Sequence, residues 1–324
     1  MTYYTPPFKI TPVILKISQE ISKELGILLG RSVSKIPFKL RQEHNIKSLQ
    51  ASLSIEGNTL SVDQVIDILE GKRIIGPPKD ILEVQNALAV YQDLKKFDLF
   101  EITSLLASHA ILMNNLVEEP GQWRTRGVGI FKRTEVHHMA PPASRVHQLM
   151  QDLFNFLVHN QEISWLIKSC IFHYKLEFIH PFMDGNGRIG RLWQQLILMK
   201  EDPLFEFIPL EVLIKENQDQ YYQVLGHCDQ QGESTTFIEF SLDIILRALT
   251  QYSPHFKVFP KDAQSRIDEA RGKMNDRWFF RKDYLVLYQD ISTATASRDL
   301  LLGVDQEILD KKGQNNQVQY RFCF

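Results

Sequence analysis

A chain of 324 residues with 44% apolar and 23% charged residues can bury a sizeable core and divide into two or three domains. A net charge of −2 and a pI near 6.6 exclude a generally nucleic-acid-coating or membrane-surface protein. Cys170, Cys228 and Cys323 are scattered and odd in number, which excludes a disulfide framework or a cysteine zinc spacing. The opening MTYYTPPFKI has neither a basic leader nor a long apolar run, and no window approaches the ~20 apolar residues of a membrane span. The expectation is a cytoplasmic protein with reduced thiols, and no membrane partner.

In chain order, an extended arm around Thr5-Pro6-Pro7 leads into an amphipathic helix over 12–29, where Ile14, Ile17, Ile21 and Leu25 recur at helical spacing. A second helix is predicted over 38–55, stopped at Glu56-Gly57-Asn58 with Gly57 as its C-cap. Ser61 opens the next helix, Gly76-Pro77-Pro78 breaks the chain, and helices resume over 79–96 and 102–116. From Gly121 to Pro142 two β-prone runs, around 128–131 and 136–139, flank a polar turn and predict a hairpin. The adjacent His137 and His138 would point to opposite faces of a strand, which argues against a shared metal. Helices over 144–158 and 163–176 follow, the second apolar on several sides and so expected to be buried.

The stretch His180-Pro181-Phe182-Met183-Asp184-Gly185-Asn186-Gly187-Arg188-Ile189-Gly190-Arg191 comes next. Gly-Asn-Gly lets the backbone take positive φ, so that successive N–H groups can converge on an anion. A helix predicted over 188–200 would aim the positive end of its dipole at the same point. An imidazole, a carboxylate and two guanidinium groups complete a phosphate cradle with a base and a metal ligand. No Gly-Lys-(Ser/Thr) is present, so it is not a P-loop, and His173, His180 and Asp184 lack a compact zinc spacing.

Beyond it, a helix carries Tyr221, Tyr222 and Leu225, and another covers 237–249. After Ser253-Pro254 the composition becomes more charged. A helix over 262–274, the stretch 281–288, a Ser/Thr-capped helix over 291–300, a Gly313 turn and an alternating strand over 318–322 resemble a winged helix-turn-helix. Acids and bases are nearly balanced there, so attraction to nucleic-acid phosphates would be weak; DNA binding and a docking or dimer role both stay open.

Residues 180–191 resemble the signature of the Fic family, His-x-Phe-x-(Asp/Glu)-Gly-Asn-Gly-Arg-x-x-Arg, with every fixed position filled. Ser52 to Gly57 resembles the family's inhibitory pattern, (Ser/Thr)-x-x-x-Glu-(Gly/Asn). The resemblance implies a mainly α fold: an N-terminal helical region bearing the inhibitory motif (1–99), a Fic-type helical core with a small β-hairpin flap (100–250), and a winged-helix-like module (251–324). It implies transfer of AMP from ATP to a Ser, Thr or Tyr hydroxyl of a target protein, or of the protein itself. His180 would be the base and Asp184 the Mg²⁺ ligand. Gly185, Asn186, Gly187, Arg188, Ile189, Gly190 and Arg191 would bind the nucleotide's phosphates, with Tyr222, Tyr221 and Asp229 around the adenine. Glu56 would reach Arg191 and fill the place of the γ-phosphate, with Ser52 one turn earlier steadying the helix end. Val128, Gly129, Ile130, Val136 and His137 would form the edge that receives the target. A homodimer, removal of AMP instead of its addition, transfer of another phosphate-bearing group, and a nucleotide-sensing DNA-bound regulator or scaffold without transfer activity stay open as alternatives.

Overall fold

The computed structural model describes residues 4–30, 38–132, 135–252, 254, 262–274, 276–314 and 317–323; at 29, 30, 38, 39, 129–132 and 135–139 it describes the backbone alone. The described residues through 254 belong to one compact unit and those from 262 onward to another. The expected division near residue 99 has no counterpart in this partition, because the N-terminal helices pack directly onto the core.

The first unit is helical apart from one hairpin. Helix α1 (Pro12–Gly30) starts at Thr11, whose Oγ1 accepts from Ile14 N–H at 3.2 Å. Its buried residues Ile14, Ile21, Leu25 and Leu28 pack on a late helix, α11, defined below. The preceding arm is tied to the start of that helix, where Lys9 N–H donates to Thr235 Oγ1 at 2.9 Å and Ser234 N–H donates to Pro7 O at 3.0 Å. Helix α2 (Phe38–Ile55) ends in a turn closed by Gly57 N–H on Ser54 O and Asn58 N–H on Leu53 O, with Gly57 at φ +93°. Helix α3 (Val62–Leu69) is opened by a reciprocal Ser61–Gln64 capping box.

Two helices stop earlier than their sequence periodicity suggests. Helix α4 (Pro78–Gln92) gives way at Asp93 to a 3-10 turn, Leu94–Lys96, in which Lys96 N–H bonds Asp93 O at 2.8 Å. Helix α5 (Ile102–Leu112) ends where Asn86 Nδ2 donates to the carbonyls of Leu112 and Asn114, and Asn115 turns to φ 57°. A side chain 26 residues away satisfies the last carbonyl, so the helix need not continue.

Strands β1 (Gly129–Lys132) and β2 (Glu135–Met139) form the antiparallel hairpin, pairing Gly129 with Met139 and Lys132 with Glu135, with a bulge between Ile130 and Phe131. The side chains of Ile130, Val136 and His137 lie outside the described residues. Helices α6 (Val146–His159), α7 (Trp165–Ile179), α8 (Asn186–Glu201), α9 (Leu210–Glu216), α10 (Gln218–Gln231) and α11 (Thr235–Tyr252) complete the unit. Helix α7 is its centre, packed by α6, α8 and α11, and buried on every side. Even Lys168 is buried there, its Nζ donating to Leu157 O at 3.1 Å near the end of α6. Helix α11 runs to Tyr252, so the first unit extends past the expected boundary at 251.

The second unit runs α12 (Ala263–Met274), β3 (Phe279–Phe280), α13 (Arg281–Leu287), α14 (Thr293–Asp305), β4 (Leu309–Lys312) and β5 (Gln319–Phe322). Its antiparallel sheet has the order β3-β5-β4, with Phe279 opposite Tyr320 and Leu309 opposite Phe322. Lys311 and Lys312, expected before a turn, are the last residues of a strand; Gly313 at φ +86° makes the turn. A separate core gathers Ile267, Phe279, Tyr284, Leu300 and Phe322. Inside it Arg266 forks onto Asp299 at 2.6 and 2.9 Å, with Tyr284 OH on the same carboxylate at 3.3 Å.

Candidate active site

The cleft is built where α7 ends and α8 begins. At the end of α7 the chain reverses on His180, a non-glycine residue at φ 48°, ψ 60°, whose N–H still bonds Leu176 O at 2.9 Å. This backbone is uncommon for a non-glycine residue, so something must hold it. Arg124 does: its Nε donates to His180 O at 2.7 Å and its Nη2 to Ile179 O at 3.3 Å and to Pro141 O. Arg124 N–H adds a bond to Pro181 O at 2.9 Å. The guanidinium is buried and bound to carbonyls alone, and burial lowers its pKa.

The loop itself is anchored through Phe182, fully buried and stacked on His109 with ring centroids 3.6 Å apart. His109 Nδ1 accepts from Gly121 N–H at 2.9 Å, which leaves Nε2–H to donate to Asp184 O at 3.0 Å. Burial holds this imidazole neutral, with a pKa lowered to about 4. Asn186 closes the loop from the other side, accepting Phe182 N–H at 2.9 Å and donating to Phe182 O at 3.0 Å. Its side chain is therefore committed to the loop, and what it offers an anion is its backbone at the helix start. Gly185, at φ +83°, packs against Met113 Sδ with no room for a Cβ. Helix α8 begins at Asn186, two residues before the expected Arg188, so the glycine turn feeds straight into the helix N-terminus.

The two signature arginines go separate ways. Arg188 Nη1 donates to Glu83 Oε1 at 3.1 Å and its Nη2 to Asp184 Oδ1 at 3.3 Å; Glu83 in turn accepts Asn58 Nδ2 at 2.9 Å. Arg188 thus binds two carboxylates and does not line the cleft. Arg191 does line it, 3% exposed, with Nη2 donating to Glu56 Oε1 at 2.7 Å and to Ser52 O at 3.0 Å, and Nε donating to Ser52 Oγ at 3.0 Å. Ser52 is therefore a direct partner of Arg191, where an i,i+4 support for Glu56 was expected. Burial is the largest influence on the Arg191 pKa and acts to lower it, but the surrounding groups, Glu56 first and then Tyr221 and Glu177, together turn the net direction up. A Cβ on Gly187 would collide with Glu56 Oε1, so glycine there lets the carboxylate approach the start of α8.

His180 faces the same cleft, of about 180 Å³, together with Glu56, Glu177, Asp184, Gly187 and Arg191. His180 Nδ1 lies 3.3 Å from Glu177 O; as donor to that carbonyl it leaves Nε2 as the basic nitrogen. Asp184 has a half-exposed side chain, fixed through Oδ1 by Gly185 N–H at 2.6 Å. Among the described residues no group of three metal-binding side chains converges, so a cation here would depend on Asp184 and on its own ligands.

Tyr221, Tyr222, Leu225, Gly226 and Asp229 bring α10 to the cleft wall. Tyr221 is fully buried, its hydroxyl 3.0 Å from His173 Nε2, while Asp229 accepts from Tyr174 OH at 3.1 Å. Ile189 and Gly190 fall elsewhere: Ile189 is core, and Gly190 seats α8 so tightly on α7 that a Cβ would lie 3.0 Å from His173 and 3.2 Å from Glu177. Arg124, His109, Glu83 and Glu177 were not legible as site residues. Glu177 alone carried a signal, as the one acid in a buried helix; burial pushes its carboxyl up to about 7, against the pull of Arg191.

A model of the Fic/DOC family matches residues 99–198. A protein adenylyltransferase Fic of Nematostella vectensis is 28% identical over 263 residues, covering 77% of this chain and 59% of that protein. Protein adenylyltransferase fic-1 of Caenorhabditis elegans is 31% identical over 203 residues, 58% of this chain and 37% of that one. The chain spans about half the length of the curated relatives it matches. Among solved structures, residues 134–508 of Fic-1 from C. elegans share the fold, with a TM-score of 0.61 at 23% identity over 75% of this chain and 73% of that one. A crystal structure of a Fic family protein from Desulfovibrio desulfuricans G20 is 37% identical with a TM-score of 0.75, and the match covers 99% of this chain and 98% of that one. Agreement of that degree from end to end makes this chain a member of the Fic family.

Proposed function

We propose that the protein transfers AMP from ATP to a hydroxyl of a protein target, and that Glu56 holds the enzyme in check. The observation that carries this reading is the position of Arg191, buried at the cleft wall and already engaged by an anion, Glu56, beside the start of α8. A carboxylate at a helix N-terminus paired to an arginine occupies the kind of place a terminal phosphate would take.

In the reaction, the hydroxyl oxygen of the target attacks the α-phosphorus while His180 Nε2 takes its proton. A new P–O bond forms, the bond from the α-phosphorus to the α,β-bridging oxygen breaks, and pyrophosphate leaves. The Nδ1 contact with Glu177 O fixes the tautomer and ring orientation this requires. Backbone N–H groups at Asn186 and Gly187 and the α8 dipole face the phosphates, and Arg191 grips the terminal one once Glu56 withdraws. Asp184 suits Mg²⁺, since its carboxylate is half exposed at the cleft and held in place by Gly185. A magnesium ion bound there would neutralise phosphate charge. Arg188 keeps Asp184 aligned. The names of the adenylyltransferase relatives support the reaction class.

The test is incorporation of label from ATP marked at the α-phosphorus into protein, using Glu56→Gly and Glu56→Gly/His180→Ala. Label transfer by the first and none by the second is expected. Equal labelling by both would remove His180 from the chemistry, and labelling from γ-marked ATP instead would overturn AMP as the transferred group.

A further inference from the structure

A second cleft, of about 300 Å³, lies beside the first, and Met183 and Asp184 line both. Its floor is rigid. Trp123 rests on Phe182 with centroids 5.1 Å apart, and Phe182 is stacked on His109. Arg124 Nη1 donates to Arg126 O at 2.9 Å and fixes the backbone of one wall. The rim carries Glu118 and Glu119, both exposed, and among the described residues Arg126 is its one cation. Met183 on the ridge between the clefts is 48% exposed, a large apolar side chain left in solvent at the mouth of the reaction site. The wall that ends at Arg126 continues within three residues into the hairpin strand that starts at Gly129.

We propose that this second cleft receives the segment of the protein target that flanks the accepting hydroxyl, and that it selects segments carrying Lys or Arg. The proposal rests on the adenylyl-transfer reading above. A hydroxyl delivered to His180 must come from a chain passing over the ridge at Met183 and Asp184. An extended chain advances ~3.3 Å per residue, so side chains roughly two to four positions from the hydroxyl reach the second cleft. Met183 and Trp123 offer apolar contact to the stem of a long cationic side chain, and Glu118 and Glu119 pair with its head. Asp184 is already engaged by Arg188, so among the described residues of this cleft the acids left to choose the partner are the two on the rim. The hydroxyl chemistry is thereby separated from the choice of sequence.

The experiment uses the full chain carrying Glu56→Gly and a synthetic peptide library with one central hydroxyl residue and randomised flanks. Modified peptides are read by mass spectrometry, and conversion of ATP to AMP with water as acceptor is measured alongside. Enrichment of Lys or Arg beside the modified hydroxyl is expected, about fivefold for each exposed charge pair at the upper end of such pairs. In Glu56→Gly/Glu118→Lys/Glu119→Lys the preference should invert to Asp or Glu while AMP formation with water stays level. Flat or acidic enrichment by Glu56→Gly overturns the proposal, as does modification of no peptide by an enzyme that still turns over ATP. If the only acceptor is a second copy of this chain, whatever the flank, the cleft is a self-docking surface and the proposal is again overturned. Failure of Glu56→Gly to bind ATP at all would instead overturn the reaction itself.

Discussion

Glu56 Oε1 lies 2.7 Å from Arg191 Nη2 and so close to Gly187 that no side chain could stand between them. One acidic oxygen therefore satisfies, at once, the arginine on the second turn of α8 and the positive end of that helix. Both are what a nucleotide's terminal phosphate would need. The pair is rooted in buried structure. Ser52 binds Arg191 through its hydroxyl and its carbonyl, and Asn58, just past the end of α2, is tied to Arg188 through Glu83.

Ser52 supports a graded test of the contact. Ser52→Ala removes one acceptor from the Arg191 guanidinium but leaves Ser52 O and Glu56 in place. A hydrogen bond to a charged group contributes about 2 kcal/mol, so label transfer should rise by no more than about thirtyfold. The gain should be smaller than that of Glu56→Gly. An initial-rate assay decides it, and a gain equal to that of Glu56→Gly would make Ser52 the principal restraint.

Arg124 holds the turn at His180 from a position 56 residues earlier in the chain. Arg124→Met leaves the carbonyls of Ile179, His180 and Pro141 without their donor in a buried setting. A loss of about 3 kcal/mol of stability is expected by chemical denaturation. Transfer should fall even where the protein remains folded, because the left-handed backbone at His180 loses its clamp. A stability change under about 1 kcal/mol would show that the turn holds itself.

This clamp also marks the limit of what the sequence discloses. The loop at 180–191, the Glu56 motif, the hairpin and most of the helices were legible, because each depends on spacing within a few residues or on a signature written out in order. Arg124 and His109 were not, since their importance arises from contacts across 56 and 75 positions. The same holds for α5, which stops at Leu112 because Asn86 caps it from another helix. Arg188 was read as a phosphate ligand from its residue type; Glu83, an acid with no local pattern to announce it, takes up that charge instead.

Glu177 gives a pH prediction with a definite sign. Burial raises its carboxyl from 4.5 to about 7, so the folded protein disfavours the ionised form. Its contribution to stability is therefore full below about 4.5 and is lost as pH rises through about 7. Glu177→Gln removes that loss. The stability of the variant relative to the parent should grow across this window, by at most about 3 kcal/mol, and level off above it. The depressed pKa of His109 acts equally in both proteins and cancels in the difference, and His173, 3.8 Å from Glu177, is held by burial at about 3, below this window. Thermal unfolding of the two proteins in matched buffers provides the check, and a difference independent of pH would show that Glu177 titrates normally.

The most direct measurement is calorimetric titration of ATP and ADP into the parent protein and into Glu56→Gly. If Glu56 stands where the γ-phosphate belongs, the variant gains affinity for ATP, tenfold for each ~1.4 kcal/mol of obstruction removed, and changes little toward ADP. An equal gain for both nucleotides, or none for ATP, would contradict the account.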